Sequence, residues 1–354
     1  MKKFLFLVFS VMLLLAACGG EAEVTTSANT DSNANTSSDV KTESKELIKI
    51  QALLAAEGTP MYYAHVADEK GYFEEEGLDV DLVSGKGGGY VVQQIGAGTV
   101  DVGVTATSSL FTAWDKEIDI QAIYQINVTN LFDLIVTPES GITSVEGLKG
   151  KVVGVSDLGG GEVPIVKAIL SHAGLQVDKD VTLRAIGAEA PSVIAAFEKG
   201  TIDAYSGGAH DLISLYGRGF KSESLIPEEF KTLPSTAIIV NGDYMEKNPE
   251  VAVKFSRAIA KATDFSINNY EEVYNIMKKQ FPEQYMDEDI ANLFLETFIG
   301  LSTPIEPEKG YGYIYKDSWQ LNVDQFKGDV IKNDINLDKY LDSSLLEEIN
   351  NFKK

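Results

Sequence analysis

The chain has 354 residues, of which 44% are hydrophobic, 23% charged and 9% aromatic. This composition is typical of a globular protein and excludes a disordered, collagen-like or polytopic membrane chain. The 53 acidic residues outnumber the 30 basic ones, and the formal net charge is −23. Because nucleic-acid backbones and anionic lipid surfaces attract basic proteins, we expect no nucleic-acid partner.

The N-terminus predicts export. Two lysines precede an apolar run from Phe4 to Leu15, which is too short to span a bilayer and has the length of a signal-peptide core. The run ends in Leu15-Ala16-Ala17-Cys18-Gly19, which resembles the lipobox of bacterial lipoproteins. The resemblance implies that residues 1–17 are a lipoprotein signal peptide and that the Cys18 thiol carries a lipid.

Cys18 is the only cysteine of the chain, so an internal disulfide is excluded. A stray cysteine behind an ordinary signal peptide is the alternative to lipidation. Residues 18–46 are rich in Ser, Thr, Asn and Asp with few apolar side chains, so little there offsets the entropy cost of ordering. We predict a lipidated, disordered tether that anchors an extracytoplasmic body, starting near Leu47, to the cell membrane.

The body alternates short β-branched runs with helical stretches, a pattern typical of an α/β fold with mostly parallel strands. The clearer predicted strands are Ile48–Leu53, Leu78–Val83, Val100–Val104, Val152–Val155 and Val181–Ile186. Asn248 and Pro249 are suited to the N-cap and first turn of a helix. Apolar residues then recur at helical spacing on one face, at Val251, Phe255, Ala258, Ile259 and Ala262.

Short sequences recur in the two halves of the body. Gly98-Thr99-Val100-Asp101 is repeated as Gly200-Thr201-Ile202-Asp203, and Gly77-Leu78-Asp79-Val80 is echoed by Gly174-Leu175-Gln176-Val177. The two pairs have similar separations, and a body of this length is large enough for two cores. The pattern predicts two similar α/β units with a cleft between them, with chance repetition as the alternative.

Three stretches of the body resemble one known family. They are Ala67–Val80 together with the segments Gly85–Gly89 and Gln94–Asp101 that follow it, Ile142–Val155, and Asp180–Asp203. With these stretches the chain resembles the bacterial ABC-transporter solute-binding lipoproteins of the nitrate/sulfonate/taurine/thiamine-pyrimidine precursor family. The resemblance covers roughly Leu47 to Phe281.

The resemblance implies a type II periplasmic-binding-protein fold, in which two α/β lobes joined by two hinge crossings close over a small-molecule solute. The crossings are expected near Thr137-Pro138 and Pro234-Ser235-Thr236. Lobe 1 would then comprise residues 47–137 and 236–354, and lobe 2 residues 138–235. The resemblance also implies a monomer that delivers its solute to a membrane-embedded ABC permease.

Ligands of open α/β sheets bind beyond the carboxyl ends of strands, where loops and helix N-termini meet. We therefore predict ligand-binding residues at those positions in both lobes. In lobe 1 they are Glu57, Thr59, Pro60, Tyr62, Ser84, Gly87, Gly88, Thr105, Thr107 and Ser108. In lobe 2 they are Ser156, Gly160, Glu162, Gly208, His210 and Asp211.

The chemistry of these loops constrains the ligand. Each lobe has a glycine-rich cluster after a strand. Such a turn either exposes backbone N–H groups to a ligand or is simply a tight turn. Neither of the two clusters matches a nucleotide-binding motif. Lys86 and His210 are the potential cations, whereas Glu57, Glu162 and Asp211 are potential anions. This balance favours a neutral, zwitterionic or amino-bearing solute over a dianion.

Aromatic side chains near the same loops either stack on a planar ring or pack in the lobe cores. They are Tyr62, Tyr63, Tyr90, Trp114 and Tyr205. Together with the acidic residues they favour a heteroaromatic solute, such as a pyrimidine-like vitamin precursor. A sulfonate, taurine or nitrate is the alternative, because the resemblance alone does not separate these ligands.

The histidines predict no metal site, because His65, His172 and His210 lack the spacing of paired metal ligands. The resembling family includes an enzyme that makes the thiamine pyrimidine and depends on a cysteine-rich motif, and this chain has no cysteine besides Cys18. We therefore expect a transport protein with no catalytic residue and no cofactor. A ligand sensor for a membrane receptor and an exported enzyme acting in the cleft are the alternatives.

Overall fold

The computed structural model of the protein describes residues 46–84, 87–328 and 330–353. The predicted signal peptide, Cys18 and nearly all of the predicted tether lie outside the described residues, as do Gly85 and Lys86. None of the helices in the described ranges combines the length and the hydropathy of a transmembrane span. Residues 45–354 cluster by their contacts into one unit of their own.

Strands in the described part of the chain form two five-stranded sheets. Sheet A contains β1 (Ile48–Leu54), β2 (Leu78–Ser84), β3 (Val102–Ala106), β4 (Ile120–Asn127) and β10 (Thr236–Asn241). Sheet B contains β5 (Phe132–Val136), β6 (Val152–Val155), β7 (Thr182–Ala185), β8 (Ala204–Gly208) and β9 (Glu223–Ser224). The five strand runs that the sequence predicts coincide with β1, β2, β3, β6 and β7 to within two residues at each end.

The two sheets share one topology. Sheet A has the order β2-β1-β3-β10-β4, and sheet B has the order β7-β6-β8-β5-β9. In sheet A only β10 is antiparallel to its neighbours, and in sheet B only β5 is. Four strands of each sheet therefore run in one direction, which confirms the predicted α/β class with mostly parallel strands.

The chain crosses between the sheets twice. It leaves sheet A after Asn127 and returns at Thr236 from a segment that follows β9. The lobe boundary predicted at Thr137 lies beyond β5, whose Leu134 already pairs with Ser206 of sheet B. The first crossing in the structure is thus at residues 128–131, ahead of the predicted position, because β5 is the reversed strand of sheet B.

Helices connect and cover the sheets. In chain order they are α1 (Tyr62–Glu69), α2 (Tyr72–Glu75), α3 (Gly88–Gly96), α4 (Thr107–Trp114), α5 (Glu162–His172), α6 (Ala190–Glu198), α7 (Ala209–Tyr216), α8 (Glu228–Lys231), α9 (Gly242–Lys247), α10 (Pro249–Asn268), α11 (Tyr270–Gln280), α12 (Glu288–Ser302), α13 (Lys316–Gln325), α14 (Leu337–Tyr340) and α15 (Leu346–Ile349). Single 3-10 turns occupy Thr59–Met61, Pro138–Ser140, Val145–Leu148, Pro282–Tyr285, Pro307–Lys309 and Asn350–Lys353.

The helix predicted after Pro249 is confirmed as α10, and its five predicted apolar residues are buried. Its start differs in one detail. The Asn248 side chain caps no N–H of α10 and instead donates from Nδ2 to the carbonyl oxygen of Tyr244, at 3.2 Å. Asn248 therefore closes α9, and Pro249 begins α10 without a side-chain cap.

The repeated sequences Gly98–Asp101 and Gly200–Asp203 have the same structural role in the two sheets. Asp101 accepts a hydrogen bond from the backbone N–H of Gln51 in β1, at 2.8 Å from Oδ2. Asp203 accepts in the same way from the N–H of Val152 in β6, at 2.9 Å. Each carboxylate thus ties the start of a middle strand to the strand beside it, and the predicted pair of similar α/β units is confirmed.

Helix α13, near the C-terminus, packs against the region where the chain crosses between the sheets. Trp319 of α13 donates from Nε1 to Gln125 Oε1 in β4, at 2.8 Å. Asn322 of the same helix donates to the carbonyl oxygen of Pro234, at 3.1 Å, just before β10. Both side chains are buried, so α13 fixes the strand ends from which the candidate site is built.

Candidate ligand-binding site

A cavity of about 120 Å³ lies where the carboxyl ends of the parallel strands of both sheets meet. Residues on the sheet A side and on the sheet B side contribute to its wall. They are Ala55, Ala56, Pro60, Met61, Gly87, Gly88, Ala106, Asn127, Leu131, Phe132, Ser156, Gly160, Gly161, Glu162, Gly208, His210, Asp211, Thr236 and Phe298. Nine of the sixteen predicted ligand-binding residues are in this set.

Glu162 is the first residue of α5 and one of two carboxylates in the wall. Its side chain is only 3% exposed, and Oε1 accepts from the backbone N–H of Ser156, at 2.9 Å, and from the Ser156 hydroxyl. Burial raises the pKa of Glu162, and the nearby Asp211 adds to the rise, although the hydrogen bonds from Ser156 oppose it. The site therefore holds a carboxylate whose charge is poorly solvated without a ligand.

His210 and Asp211 lie in the first turn of α7. Asp211 Oδ2 accepts from the N–H of Gly208, at 3.0 Å, and from the Tyr205 hydroxyl, at 3.3 Å. Its Oδ1 lies 2.9 Å from Nε2 of His210. Burial lowers the pKa of His210, but the charges of Asp211 and Glu162 and the hydrogen bond to Asp211 outweigh burial, so the pKa is raised overall.

Two buried polar atoms of the wall have no hydrogen-bond partner among the described residues. They are Nδ1 of His210 and Oδ1 of Asn127. The Asn127 side chain is 2% exposed, and its Nδ2 donates to Thr236 Oγ1, at 2.9 Å. Because unpaired buried polar groups are costly, both atoms are positions where a ligand group would be stabilising.

The apolar part of the wall differs from the prediction. The predicted aromatic residues do not line the cavity: Tyr62, Tyr63, Trp114 and Tyr205 are buried in the cores, and Tyr90 is exposed. Phe132 from β5 and Phe298 from α12 line it instead, with Met61 and Leu131. Phe298 comes from a helix far along the chain, and no sequence motif points to it.

The remaining predicted residues have other positions. Thr59, Tyr62, Thr105 and Thr107 are buried and bonded within the sheet A side, for example Thr107 Oγ1 to the carbonyl oxygen of Pro234. Glu57 and Ser84 are exposed and outside the wall, so the structure does not bring them to the cavity. Asn127 and Thr236 were missed because their strands, β4 and β10, were not among the predicted strands.

Loops from the two sheets touch each other beside the cavity. Ser108 at the start of α4 donates to the carbonyl oxygen of Gly161, at 2.7 Å. The N–H of Gly89 in α3 donates to the carbonyl oxygen of Gly159, at 3.1 Å. Gly87, which precedes α3, has a φ of 83°, a conformation that glycine adopts readily. These contacts close the cavity between the two sheets.

The described residues contain no group of three or more His, Cys, Asp or Glu side chains placed to hold a metal ion. The described wall of the cavity combines two carboxylates, one imidazole, one amide, two phenyl rings and several small residues. Such a wall can bind a small polar ring by hydrogen bonds and apolar contact.

The sequence matches the model of the NMT1/THI5-like family over residues 57–273. A Brucella abortus (strain 2308) protein named as a binding protein is 30% identical over 246 residues, covering 68% of this chain and 72% of that protein. The formylaminopyrimidine-binding protein of Halalkalibacterium halodurans is 23% identical over 264 residues, covering 73% and 79%. A 4-amino-5-hydroxymethyl-2-methylpyrimidine phosphate synthase of Saccharomyces cerevisiae is 27% identical over 233 residues, covering 61% and 66%.

Solved structures show the same fold. A protein from Bordetella bronchiseptica RB50 superimposes with a TM-score of 0.72 at 21% identity, covering 87% of this chain and 98% of that one. The alkanesulfonate-binding protein of Xanthomonas axonopodis pv. citri has a TM-score of 0.62 at 14% identity, covering 84% and 99%. The nitrate-binding protein of Synechocystis PCC 6803 has a TM-score of 0.62 at 15% identity, covering 86% and 88%. The family resemblance and the fold predicted from the sequence are confirmed: this chain belongs to the NMT1/THI5-like family and has the fold of periplasmic solute-binding proteins.

Proposed function

We propose that this protein is the extracytoplasmic solute-binding component of an ABC importer, and that its solute is a small heteroaromatic ring with amino groups, such as a pyrimidine vitamin precursor. The observation that carries the proposal is the charge of the cavity wall. Glu162 and Asp211 are both there, and no Lys or Arg is among the described residues that line it.

The volume of the cavity limits the size of the solute. An apolar cavity of about 150 Å³ is known to hold a benzene molecule. The 120 Å³ between the sheets is thus close to the space of one six-membered ring with small substituents. A flavin or a dinucleotide would require the sheets to separate, so the proposal is restricted to single-ring solutes.

Hydrogen-bonding groups of the wall favour donors on the solute. Asn127 Oδ1 is an acceptor, and Glu162 offers the carboxylate oxygen that Ser156 leaves free. Phe132 and Phe298 provide apolar contact for the faces or edges of a ring. An aminopyrimidine presents both features, and a relative in Halalkalibacterium halodurans is named as a formylaminopyrimidine-binding protein.

A sulfonate, taurine or nitrate ligand is the second candidate, supported by the fold that this chain shares with an alkanesulfonate-binding and a nitrate-binding protein. The wall disfavours it, because an anion would lie beside two carboxylates in a site of low dielectric. His210 is the one basic side chain of the described wall, and its Nε2 is already paired with Asp211.

Transport without chemistry is the proposed role, although synthases occur among the relatives. Solute that contacts both sheets would favour the closed arrangement over an open one, and closure would present the loaded protein to the permease. The proposal places β1–β4 and β10 in one lobe and β5–β9 in the other. A ligand sensor for a membrane receptor uses the same closure, and an enzyme would convert the solute.

The first experiment is a thermal-shift screen of the protein from residue 45 onward against 4-amino-5-hydroxymethyl-2-methylpyrimidine, formylaminopyrimidine, taurine, an alkanesulfonate and nitrate. A ligand that binds only the folded state raises the melting temperature. We expect a rise with an aminopyrimidine, recovery of the unchanged compound after incubation, and no rise with the anions. A rise with the sulfonate or nitrate alone would overturn the proposed solute, and conversion of the compound would overturn the non-enzymatic role.

Binding calorimetry of a Glu162 variant tests the proposed contact between the solute and this carboxylate. Glu162→Gln removes one charge-assisted hydrogen bond, a loss of about 1.5–3 kcal/mol, so the affinity for the aminopyrimidine should fall about 10- to 100-fold. Glu198→Gln is the matched control, because Glu198 is exposed at the end of α6 and outside the cavity wall. Equal affinity of both variants would show that the solute does not use Glu162.

A further inference from the structure

A second and larger cavity, of about 740 Å³, lies beside the contact between Gly89 and Gly159. We call it the lateral groove. One wall comes from α3, α4 and the residues just after α4, and the other comes from Leu158–Gly160 and α5. Its volume is within the range of about 300–1,000 Å³ that is typical of small-molecule sites. Among the described residues, the only one that lines both the lateral groove and the 120 Å³ cavity between the sheets, the solute cavity, is Gly160.

The charge of the lateral groove is opposite to that of the solute cavity. Its ionisable lining side chains are two lysines, Lys116 beyond the end of α4 and Lys167 in α5, and no acidic residue of the described chain lines it. Neither ammonium group has a hydrogen bond or an ion pair with any described residue. In a chain with a net charge of −23, two lysines that line one groove without a partner among the described residues form a local site for an anion.

The rest of the lateral groove is largely apolar. Leu158 is 60% exposed and Ile118 is 37% exposed, and both lie in its wall. Val92 of α3 and Val163 of α5 are buried and also line the groove. Exposed apolar side chains that surround a concave surface are typical of binding sites. An apolar ligand body would cover them.

We propose that the lateral groove is a second ligand site, which binds a small amphiphilic anion: a carboxylate or sulfonate group on an apolar body. The anionic group pairs with Lys116 and Lys167, and the apolar body covers Leu158 and Ile118. Because Lys116 follows a helix of the sheet A side and Lys167 belongs to a helix of the sheet B side, the bound anion bridges the two sides and stabilises their contact.

The test uses the protein from residue 45 onward and the fluorescent aromatic sulfonate 8-anilinonaphthalene-1-sulfonate, with octanoate as a competitor. We expect one saturable site from which octanoate displaces the probe. The double variant Lys116→Gln with Lys167→Gln should bind the probe about tenfold or more weakly, since each lost charge-assisted contact is worth at least several-fold. The control is Lys199→Gln with Lys221→Gln, which makes the same charge change at two exposed lysines outside the groove.

A second pair of variants separates charge from shape. Thr112 is an exposed groove residue of α4, so Thr112→Glu adds a carboxylate to the wall and Thr112→Gln adds a neutral side chain of equal size. We expect Thr112→Glu to weaken probe binding at least tenfold and Thr112→Gln less than threefold. Wild-type affinity in both the lysine double variant and Thr112→Glu would overturn the proposal.

The solute cavity gives an independent reference. Glu162→Gln alters only the cavity wall and should leave the affinity for the sulfonate probe unchanged. A change of probe affinity in this variant, in either direction, would place the probe in the cavity and would also contradict the proposal. Failure of the aminopyrimidine screen would leave the groove result unaffected, so the two proposals fail separately.

Discussion

The Glu162 carboxylate is held where burial disfavours its charge, and this has a consequence for stability. Its pKa in the folded protein is raised above the ordinary value of 4.5, so the folded state binds the proton more tightly than the unfolded state. Stability contributed by this group is therefore lost as the pH rises from about 4.5 through the raised pKa. The residue that we propose to bind the solute is thus expected to destabilise the solute-free protein at neutral pH.

We expect Glu162→Gln to raise the melting temperature of the solute-free protein at neutral pH, by about 2 °C for each 1 kcal/mol gained. The amide oxygen still accepts from Ser156, while the charge is gone. The advantage over wild type should shrink as the pH approaches 4.5, and calorimetric melting across this pH range measures it. A lower melting temperature than that of Glu198→Gln at neutral pH would mean that the carboxylate is stabilising.

Residues of the candidate site were predictable from the sequence where polar side chains come directly after a predicted strand. Ser156, Glu162 and Asp211 were found because polar and glycine residues follow β6 and β8 at the sheet edge. Asn127 and Phe298 were not found, because one ends an unpredicted strand and the other lies on α12, which reaches the cavity only through tertiary packing. Spacing in the sequence carries no information about such a contact.

At the scale of elements, the close approach of α3 to the loop before α5 depends on glycine. A Cβ atom at Gly89 would lie 3.0 Å from the carbonyl oxygen of Gly159, which is a backbone atom and cannot rotate away. We expect Gly89→Ala to separate the two loops, to weaken aminopyrimidine binding several-fold and to increase the radius of gyration in X-ray scattering.

Gly300→Ala is the control for this change, because an added Cβ at Gly300 of α12 meets no atom within 4 Å. Alanine there should keep the scattering profile and favour the helix by up to about 1 kcal/mol. If Gly89→Ala and Gly300→Ala give the same profile and affinity as wild type, the contact between Gly89 and Gly159 does not control closure.

Elements were predictable to different degrees for a physical reason. Runs such as Val152–Val155 are strands because they are β-branched and bounded by turns, and α10 has a long apolar stripe. The reversed strands β5 and β10 do not differ from parallel strands in composition, so their direction follows only from sheet pairing. The error in the first crossing, at residues 128–131 rather than at Thr137, has this origin.

At the scale of the whole molecule, the sequence repeat was the most informative signal. Asp101 and Asp203 repeat because each directly precedes the middle strand of its own sheet and bonds the backbone of the strand beside it. A duplicated polar contact of this kind is visible in a single sequence. The order of the strands and the closure of the cavity are set by packing between distant segments, and these required the structure.

We propose that the membrane location of the protein depends on Cys18, a residue outside the described ranges. The chain is strongly acidic, so an anionic membrane surface would repel the body, and a lipid on Cys18 would be its means of attachment. We expect Cys18→Ser to move the protein from the membrane fraction to the soluble fraction, since a lipid anchor adds about 0.8 kcal/mol per buried methylene group. Fractionation and immunoblotting of cells that produce each form measure the change.

The matched control for this experiment is Ser27→Ala, a small substitution in the predicted tether that leaves the only cysteine in place. It should remain in the membrane fraction, and solute binding should be the same in both variants because the cavity lies in residues 55–298. Membrane retention of Cys18→Ser would contradict the lipid anchor while leaving the proposed solute site intact. Release of Cys18→Ser together with wild-type solute affinity would separate attachment from binding, as expected of a tethered importer component.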